Sequence, residues 1–329
     1  MTDTLDIADT LVAGIEAGER RVLARLITLL ESTRTDHRAT ATAALDRLLP
    51  RTGGAVRCGL SGPPGVGKST FVEALGRRLT GAGQTVAVLA VDASSRRSGG
   101  SILGDKTRMP TLARDPHAFI RPSPASATLG GVARGTRDAV LACEAFGFDV
   151  VLVETVGVGQ SEVAVADVVD TFVLLVAAGA GDELQGIKRG IMELADVVAV
   201  TKADGEQVAA ADRAVADHRV AVHLLRRRHP GWEPPVLACS AVTGGGIAEV
   251  WAAATAHHAL LAGDGTLDRR RAEQATAALW AEVRDRLVGD LLDHPAVVAA
   301  RPDVESRVDA GELTPTGAAD ELLRAFRGA

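Results

Sequence analysis

Apolar and polar residues follow two different periods along the chain. From about residue 51 to residue 262, seven short and almost continuously apolar runs alternate with stretches of helical periodicity. Continuous apolar character is typical of strands that are buried on both faces. The runs are AVRCGL, TVAVLAVD, AFIRPS, DVVLVETVG, TFVLLVAA, VVAVTKAD and PVLACSAV. Their alternation with helices predicts an α/β fold with a doubly wound, mostly parallel sheet.

Only helical periodicity is found on the two flanks of this region. The N-terminal flank contains DTLVAGIEAGERRVLARLITLLES and ATATAALDRLL, which predict a helical extension over residues 1–50. The C-terminal flank contains LDRRRAEQATAALWAEVRDRLVGDLL and TPTGAADELLRAFRG, which predict two long helices. We therefore expect three parts, residues 1–50, 51–262 and 263–329, with the whole sheet in the second.

Composition narrows the class of protein. The chain has 329 residues, of which 47% are hydrophobic, so a sizeable core is available. A net charge of −6 and an aromatic content of 3% argue against a nucleic-acid partner. The acidic N-terminus does not resemble a secretory signal, and no apolar run is long enough for a membrane span. Cys58, Cys143 and Cys239 lie in apolar contexts, which favours reduced core thiols in a cytoplasmic protein.

The stretch GLSGPPGVGKSTFVEALG joins the first apolar run to a helical one. It contains Gly62-x-x-x-x-Gly67-Lys68-Ser69, the spacing of a phosphate-binding loop. Glycines let the backbone N–H groups surround an anion, and the following helix adds its positive N-terminal dipole. A merely flexible turn would not require glycine, lysine and serine at all these positions. The predicted nucleotide-binding residues are Gly62, Pro63, Pro64, Gly65, Val66, Gly67, Lys68, Ser69 and Thr70.

Two later segments predict a site for guanine. VTKADG resembles the Asn-Lys-x-Asp element of GTP-binding proteins, with Thr201 in place of asparagine. The carboxylate of Asp204 can accept the ring N–H and the exocyclic amine of guanine, and the stem of Lys202 can cover the base. A strand followed by an ordinary polar turn is the simpler alternative. CSAV, which includes Ser240, Ala241 and Val242, resembles the element whose backbone N–H groups contact the guanine oxygen.

Two further segments predict groups near the γ-phosphate and a Mg²⁺ ion. DVVLVETVGVGQSE resembles the Asp-x-x-Gly element, with Glu154 in place of aspartate and Gly157 offering a backbone N–H. No glutamine directly follows Gly157, so the water-positioning group of Ras-like enzymes is absent there. AVDASSRRSGGSILGDKTRM begins at a strand end and continues through a Gly/Ser-rich loop. The predicted catalytic residues are Lys68, Asp92, Asp105 and Glu154, and the predicted metal ligands are Ser69, Asp92, Asp105 and Glu154.

Several motifs together resemble the methylmalonyl-CoA mutase-associated GTPases of the MeaB/ArgK type. They are GPPGVGKST, VDASSRRSGGSILGDKTRM, RPSPASATLGGVAR, ETVGVGQSE, GAGDELQGIKRGIMELAD and TKADG. The resemblance extends from about residue 5 to the C-terminus and implies a P-loop GTPase of the SIMIBI class. It also implies a homodimer, assembled through the C-terminal helices, that is a chaperone for an adenosylcobalamin-dependent acyl-CoA mutase.

The same resemblance assigns a coupling role to one segment. Residues 181–190, GDELQGIKRG, would relay the nucleotide state to the mutase, so that GTP hydrolysis gates cofactor loading and protects the mutase. The residues implied in this coupling are Arg108, Asp182, Glu183, Gln185 and Lys188. Without the resemblance, the sequence that follows Gly181 is typical of an ordinary amphipathic helix.

Three other functions remain open at this point. A metal-inserting GTPase needs a cluster of metal ligands. His218, His223 and His229 are expected on one arginine-rich helix, and His257 and His258 are adjacent. We expect all five to be surface histidines. A kinase or ATPase linked to amino-acid transport conflicts with Asp204 and with the missing membrane segment. A scaffold without activity conflicts with the intact phosphate loop. We therefore expect Mg²⁺-dependent GTP hydrolysis with GTP and GDP as substrate and product.

Overall fold

The computed structural model describes residues 2–92, 109–124, 129–155, 161–177 and 189–328 of the chain. Within these residues, seven parallel strands form one sheet in the order β3-β2-β4-β1-β5-β6-β7. The strands are β1 (Val56–Ser61), β2 (Val86–Asp92), β3 (Ala118–Pro124), β4 (Val150–Thr155), β5 (Thr171–Ala177), β6 (Val197–Thr201) and β7 (Val236–Ala238). Each strand matches one of the seven apolar runs, with β1 and β3 extending one residue beyond theirs, so the predicted α/β fold with a doubly wound sheet is confirmed.

Helices connect the strands and cover both faces of the sheet. The helices up to β5 are α1 (Thr2–Glu16), α2 (Arg20–Leu30), α3 (Thr35–Leu48), α4 (Lys68–Gly81), α5 (Leu129–Phe146) and α6 (Ser161–Ala166). Those that follow are α7 (Arg189–Met192), α8 (Val208–His223), α9 (Ile247–Gly263), α10 (Thr266–Asp293), α11 (Pro295–Asp309) and α12 (Pro315–Arg327). The two C-terminal helices predicted from periodicity correspond to α10 and α12. The sequence analysis missed α11, which contains Pro302 inside the helix.

The N-terminal helices complete the core on one face of the sheet. Apolar side chains of α1, α2 and α3 form a single buried cluster with α5 and with residues of β2, β4 and β5. Arg20 of α2 also donates a hydrogen bond of 2.6 Å to the carbonyl oxygen of Ala118, at the start of the edge strand β3. The other face is covered by α4 and α9, whose buried residues pack on β1, β2 and β4. Both faces of the central strands are therefore buried, as their apolar sequences require.

An aspartate immediately precedes each of the strands β4, β5 and β6. Its carboxylate accepts the backbone N–H at the start of the neighbouring strand and so satisfies a donor at the edge of the ladder. These bonds are Thr85 N to Asp149 Oδ2 at 2.7 Å, Arg57 N to Asp170 Oδ2 at 3.1 Å, and Phe172 N to Asp196 Oδ2 at 2.9 Å. The three carboxylates mark the edge of the sheet opposite to the phosphate loop.

The chain divides into two compact units, residues 1–274 and 275–329. Helix α10 belongs to both, because its first turns contact the first unit. Arg271 donates to both carboxylate oxygens of Asp170, at 2.8 and 2.6 Å, and to the carbonyl oxygen of Gly53 at 2.7 Å. In the second unit α11 and α12 pack together, and the ring of His294 lies edge-on to that of Phe326. Among the described helices, none is long and apolar enough to cross a bilayer.

Candidate nucleotide site

The loop between β1 and α4 has the backbone of an anion-binding loop. Gly65 and Gly67 have φ angles of 79° and 97°, which favour glycine over residues that carry a Cβ. Only glycine fits at position 62, because a Cβ there would lie 2.3 Å from the carbonyl oxygen of Leu175 on β5. Helix α4 begins directly after the loop, at Lys68, so its first N–H groups face the enclosed space. The local structure therefore agrees with the predicted phosphate loop.

Lys68 lies folded back over this loop. Its ammonium group donates to the carbonyl oxygen of Gly62 at 2.7 Å and to that of Pro63 at 3.0 Å. The residue is only 8% exposed, so these bonds hold the charge inside the curve of the loop. A positive charge fixed there is suited to phosphate oxygens that enter the loop.

Ser69 and Glu154 meet at the same edge of the sheet. The hydroxyl of Ser69 donates to Oε1 of Glu154 at 2.7 Å, and Glu154 is only 6% exposed near the end of β4. Hydroxyl and carboxylate oxygens are the ligands that Mg²⁺ and Ca²⁺ prefer, so this pair fits a hard divalent cation. Asp92 ends the adjacent strand β2, whose Val91 pairs with Thr155. The side chain of Asp92 lies outside the described residues, as do Asp105 and Gly157.

The predicted base-reading residues come together after β6 and β7. Lys202, directly after β6, has a φ angle of 59°. Among the described residues other than glycine, it alone has a positive φ. The hydroxyl of Ser240 donates to Oδ2 of Asp204 and accepts the N–H groups of Val242 and Thr243, both at 3.2 Å. The carboxylate of Asp204 is thereby held at one place. Backbone strain at Lys202 together with a fixed carboxylate is typical of a binding site.

Ala241 and Val242 lie in the turn after β7, and Val242 is 82% exposed. Both follow Ser240, whose hydroxyl holds Asp204, and their contact with the base stays a prediction. Thr201 links this turn to the phosphate loop, since its hydroxyl lies 2.7 Å from the carbonyl oxygen of Val66. The sequence analysis treated Thr201 only as a departure from asparagine and missed this contact. The predicted coupling residues Arg108, Asp182, Glu183, Gln185 and Lys188 all lie outside the described residues.

The expectation of surface histidines is wrong at two positions. His218 on α8 and His257 on α9 are 5% and 1% exposed, because both helices turn these side chains toward the sheet. Burial lowers the pKa of His218, and it lowers the pKa of His257 to about 4. His229 follows the end of α8 rather than lying on it. In the described part of the chain, no three His, Cys, Asp or Glu side chains are grouped to hold a metal ion.

The three cysteines are buried and free, as expected. Burial raises the pKa of the Cys58 thiol and of the Cys239 thiol to about 12 each, and that of Cys143 rises for the same reason. Thiols with raised pKa values are poor nucleophiles, so they have no part in the chemistry of the site.

Comparison with known families decides between the functions that this geometry allows. The model of the family described as "Methylmalonyl Co-A mutase-associated GTPase MeaB" matches residues 23–296, most of the chain and all of its sheet. The chain belongs to the MeaB family. It is therefore a GTPase of the P-loop fold, in a family associated with methylmalonyl-CoA mutase.

Individual members of the MeaB family and its neighbours agree with this assignment. A probable GTPase of Mycobacterium tuberculosis is 54% identical over 97% of this chain and 95% of its own length. The mitochondrial methylmalonic aciduria type A homolog of Mus musculus is 48% identical over 97% of this chain and 79% of its own. A crystal structure described as LAO/AO transport system kinase superposes with a TM-score of 0.76 at 36% identity and covers 97% of both chains.

Proposed function

We propose that this MeaB-family GTPase binds GTP with Mg²⁺ and acts as a chaperone for an adenosylcobalamin-dependent mutase of the methylmalonyl-CoA type. The observation that supports it best is the arrangement of Lys68, Ser69 and Glu154 beside a turn that holds Asp204. These residues come from three separate segments of the chain, and each has a role that GTP hydrolysis needs. In this proposal the cytoplasm is the compartment, consistent with three unpaired buried thiols.

The phosphate loop carries the first half of the proposal. Backbone N–H groups of residues 65–70, which include the start of α4, surround the phosphates, and the ammonium group of Lys68 neutralises the outer ones. Ser69 and Glu154 would hold Mg²⁺, together with Asp92 and Asp105 from the neighbouring segment. When bound, the ion offsets the charge that develops on the transferred phosphoryl group. Gly157 would add a backbone donor to the γ-phosphate.

The base-reading turn carries the second half. The two oxygens of Asp204 match the two donors on the edge of guanine, and adenine has no such donor pair there. The stem of Lys202 would cover the base, and the backbone N–H of Ala241, between Ser240 and Val242, would donate to the guanine oxygen. This preference argues against the alternative of an ATPase or kinase linked to amino-acid transport, although one structural neighbour is described as a transport system kinase.

Coupling to the mutase rests on family membership. Segment 181–190 would change its path between the GTP and GDP forms, and the mutase would read that difference. Asp182, Glu183, Gln185 and Lys188, with Arg108, are the proposed coupling residues. The metal-inserting alternative has less support, because the described histidines are buried singly or lie apart on the surface.

We also propose that the chain is a homodimer and that residues 263–329 supply the interface. Six large apolar side chains on α10 and α11 are about half exposed in the second unit. They are Leu279, Trp280, Leu287, Val288, Leu292 and Val298, with exposed fractions between 46% and 58%. Exposed apolar groups at this density favour contact with another protein surface. In the proposed domain organisation, residues 1–50 extend the GTPase domain of residues 51–262, and residues 263–329 form the dimerisation arm.

GTP turnover of the Lys68→Ala variant tests the nucleotide site. The loss of the loop's positive charge should reduce hydrolysis at least about a hundredfold, which corresponds to about 2.7 kcal/mol of barrier. Arg78→Ala is the matched control, because it removes an exposed cation from the other end of the same helix. Native turnover in Lys68→Ala, or equal turnover of ATP and GTP by the native protein, would contradict the proposed site.

A second assay tests the partner. Native protein and Lys188→Ala are compared for GTP turnover with and without a purified adenosylcobalamin-dependent mutase. The variant should keep its basal rate within about threefold, under 1 kcal/mol, but lose the acceleration by the mutase. Arg226→Ala, an exposed cation after α8, serves as the control. If the mutase accelerates GTP turnover by the native protein and by Lys188→Ala equally, the relay through Lys188 is excluded.

A further inference from the structure

Ser61 and Thr155 form a buried contact between two strands that end at the candidate nucleotide site. The hydroxyl of Thr155 donates to Oγ of Ser61 at 2.8 Å, and both residues are fully buried. Ser61 is the last residue of β1, and Thr155 is the last residue of β4. In the parallel ladder Leu60 pairs with Glu154, so the two hydroxyl residues are neighbours one step further along. The contact therefore joins the two strands at the point where both leave the sheet.

Packing alone does not account for two hydroxyls at this point. The preceding residues of β4, from Val150 to Val153, are apolar and fully buried. A buried hydroxyl gives up its hydration and needs a partner within the fold, whereas a pair of apolar side chains of the same size needs none. A hydrogen bond is directional, however, and holds its two groups within a narrow range of distance and angle. The pair is thus better suited to fixing the two strand ends than to filling the core.

The phosphate loop begins directly after this contact. Gly62 follows Ser61, and a Cβ at Gly62 would lie 2.3 Å from the carbonyl oxygen of Leu175 on β5. The start of the loop is therefore confined by β5 at Gly62 and by β4 at Ser61. Both restraints come from strands of the sheet, which are more rigid than a loop and fix where the loop begins.

Glu154 is fixed through the same contact. Successive side chains of a strand point to opposite faces, so Glu154 faces α4, where it accepts the hydroxyl of Ser69 at 2.7 Å, and Thr155 faces away from α4. The bond from Thr155 to Ser61 therefore acts on Glu154 through the backbone of β4. It sets the separation between this carboxylate and the first turn of α4, which supplies Lys68 and Ser69.

We propose that Ser61 and Thr155 are positioning residues for GTP hydrolysis. Their contact holds the carboxylate of Glu154 and the hydroxyl of Ser69 at the separation that a hard divalent cation requires. Mg²⁺ accepts little departure from octahedral geometry, so a small displacement of one ligand weakens its binding. The turn after β6 and the N–H groups of the phosphate loop bind the rest of the nucleotide, so affinity for the nucleotide alone should change little. The inference rests on the proposed Mg²⁺ and GTP site, whose ligands the pair positions.

Binding of Mn²⁺ to the full-length protein with a non-hydrolysable GTP analogue tests the proposal independently of hydrolysis. Thr155→Val removes the donor and keeps the shape of the side chain, and Ser61→Ala removes the acceptor. Either change should weaken Mn²⁺ binding about fivefold and lower kcat by a similar factor, while affinity for the analogue without metal stays within about twofold. Electron paramagnetic resonance of free Mn²⁺ gives the binding constant, and GTP turnover with Mg²⁺ gives kcat.

A double variant and two conservative variants make the test specific to the hydroxyl contact. The variant with both Ser61→Ala and Thr155→Val should lie within about twofold of either single variant, because each single change already breaks the same bond. Thr155→Ser and Ser61→Thr keep both hydroxyls and should bind Mn²⁺ within about twofold of the native protein. Each single variant tests the contact by itself, so the other decides if one does not fold.

Thr171→Val is the matched control for lost stability. Thr171 is fully buried at the start of the neighbouring strand β5, and its hydroxyl lies 2.9 Å from Nδ1 of His257. This change also removes a buried hydroxyl contact, but at the opposite edge of the sheet. Thermal stability should therefore fall, while Mn²⁺ binding and kcat stay native.

The outcomes separate the inference from the proposed function. Native Mn²⁺ binding and native kcat in both Thr155→Val and Ser61→Ala would overturn the inference and leave the nucleotide site intact. Losses that add up in the double variant, or equal losses in Thr171→Val, would also overturn it, because they would follow from general destabilisation. A native protein that binds no guanine nucleotide would contradict the proposed function itself, and the inference would fail with it.

Discussion

The hydroxyl of Ser69 lies 2.7 Å from a carboxylate oxygen of Glu154 and joins the first turn of α4 to the end of β4. The two residues are 85 positions apart, and the parallel pairing of β1 with β4 brings them together, since Leu60 faces Glu154 in the ladder. Parallel strands end at one edge of a sheet, which is where ligands of such folds bind. Glu154, the carboxylate of the Asp-x-x-Gly-like element, thus lies beside Ser69, the other proposed metal ligand.

Glu154→Gln should slow hydrolysis more than it weakens binding. The amide keeps the size of the side chain and can still accept from Ser69, but it removes the charge that attracts Mg²⁺. We expect a decrease in kcat of at least about tenfold, or 1.4 kcal/mol, with GDP affinity within about threefold. In a Mg²⁺ titration, the variant should need a higher Mg²⁺ concentration than the native protein to reach half of its maximal hydrolysis rate.

Asp149→Asn is the control for this experiment. Asp149 precedes the same strand at its other end, where its carboxylate accepts the N–H of Thr85 at 2.7 Å. An amide oxygen can still accept that bond, so turnover and the Mg²⁺ titration should remain native. GTP hydrolysis by Glu154→Gln at the native rate would show that Glu154 does not assist the metal.

The fold and the candidate nucleotide-binding residues follow from local sequence signals, but the buried polar contacts do not. The apolar runs predict all seven strands because strands buried on both faces need little more than hydrophobicity. The phosphate loop follows from fixed spacing within eight residues. The contact of Thr201 with Val66 joins residues 135 positions apart, and only the packed sheet places them together.

The burial of the histidines could not be predicted from the local sequence either. Adjacent His257 and His258 resemble a polar surface pair, but α9 packs His257 between the ring of Trp232 and the hydroxyl of Thr171. Oδ1 of Asp196, the residue before β6, lies 3.5 Å from Nε2 of His257. No periodicity within α9 reveals a partner that comes from another strand.

Asp204→Asn should change the choice of base. The amide replaces one acceptor with a donor, which no longer matches guanine but can donate to the extra carbonyl oxygen of xanthine. GTP binding should weaken about tenfold or more, and binding of xanthosine triphosphate should improve. Asp212→Asn, on the exposed side of α8, is the control and should bind GTP as the native protein does. Unchanged GTP affinity in Asp204→Asn would show that another group reads the base.

Trp280→Asp and Leu287→Asp should convert the proposed dimer to a monomer. Both side chains are more than half exposed in the second unit, and a charge at the centre of an apolar interface loses hydration without gaining a partner. Sedimentation at micromolar concentration gives the mass, and GDP binding should remain native. Val220→Asp on α8 changes a slightly more exposed apolar residue of the first unit and should leave the mass unchanged. A native protein that sediments as a monomer would contradict the interface.

Acid should destabilise the fold through His257. Burial lowers its pKa to about 4 despite the nearby carboxylate of Asp196, and the charges of Arg270, Arg228 and His229 act in the same direction as burial. The ordinary histidine value is 6.5, so between pH 6.5 and pH 4 the unfolded chain binds a proton that the folded chain does not. Stability from the neutral ring is therefore complete above pH 6.5 and decreases as the pH falls. The maximum loss for this residue is about 3 kcal/mol.

Urea unfolding at several pH values between 5.5 and 7.5 measures this effect. The native protein should lose stability steadily toward pH 5.5, and His257→Gln should show a shallower slope because one buried imidazole no longer needs to stay neutral. The slope should not vanish, since burial also lowers the pKa values of His218 and His258. His257→Gln should be less stable at pH 7.5, where it lacks the bond between the ring and Thr171. Parallel slopes for the native protein and His257→Gln would show that the imidazole of His257 is free to take up a proton in the folded state.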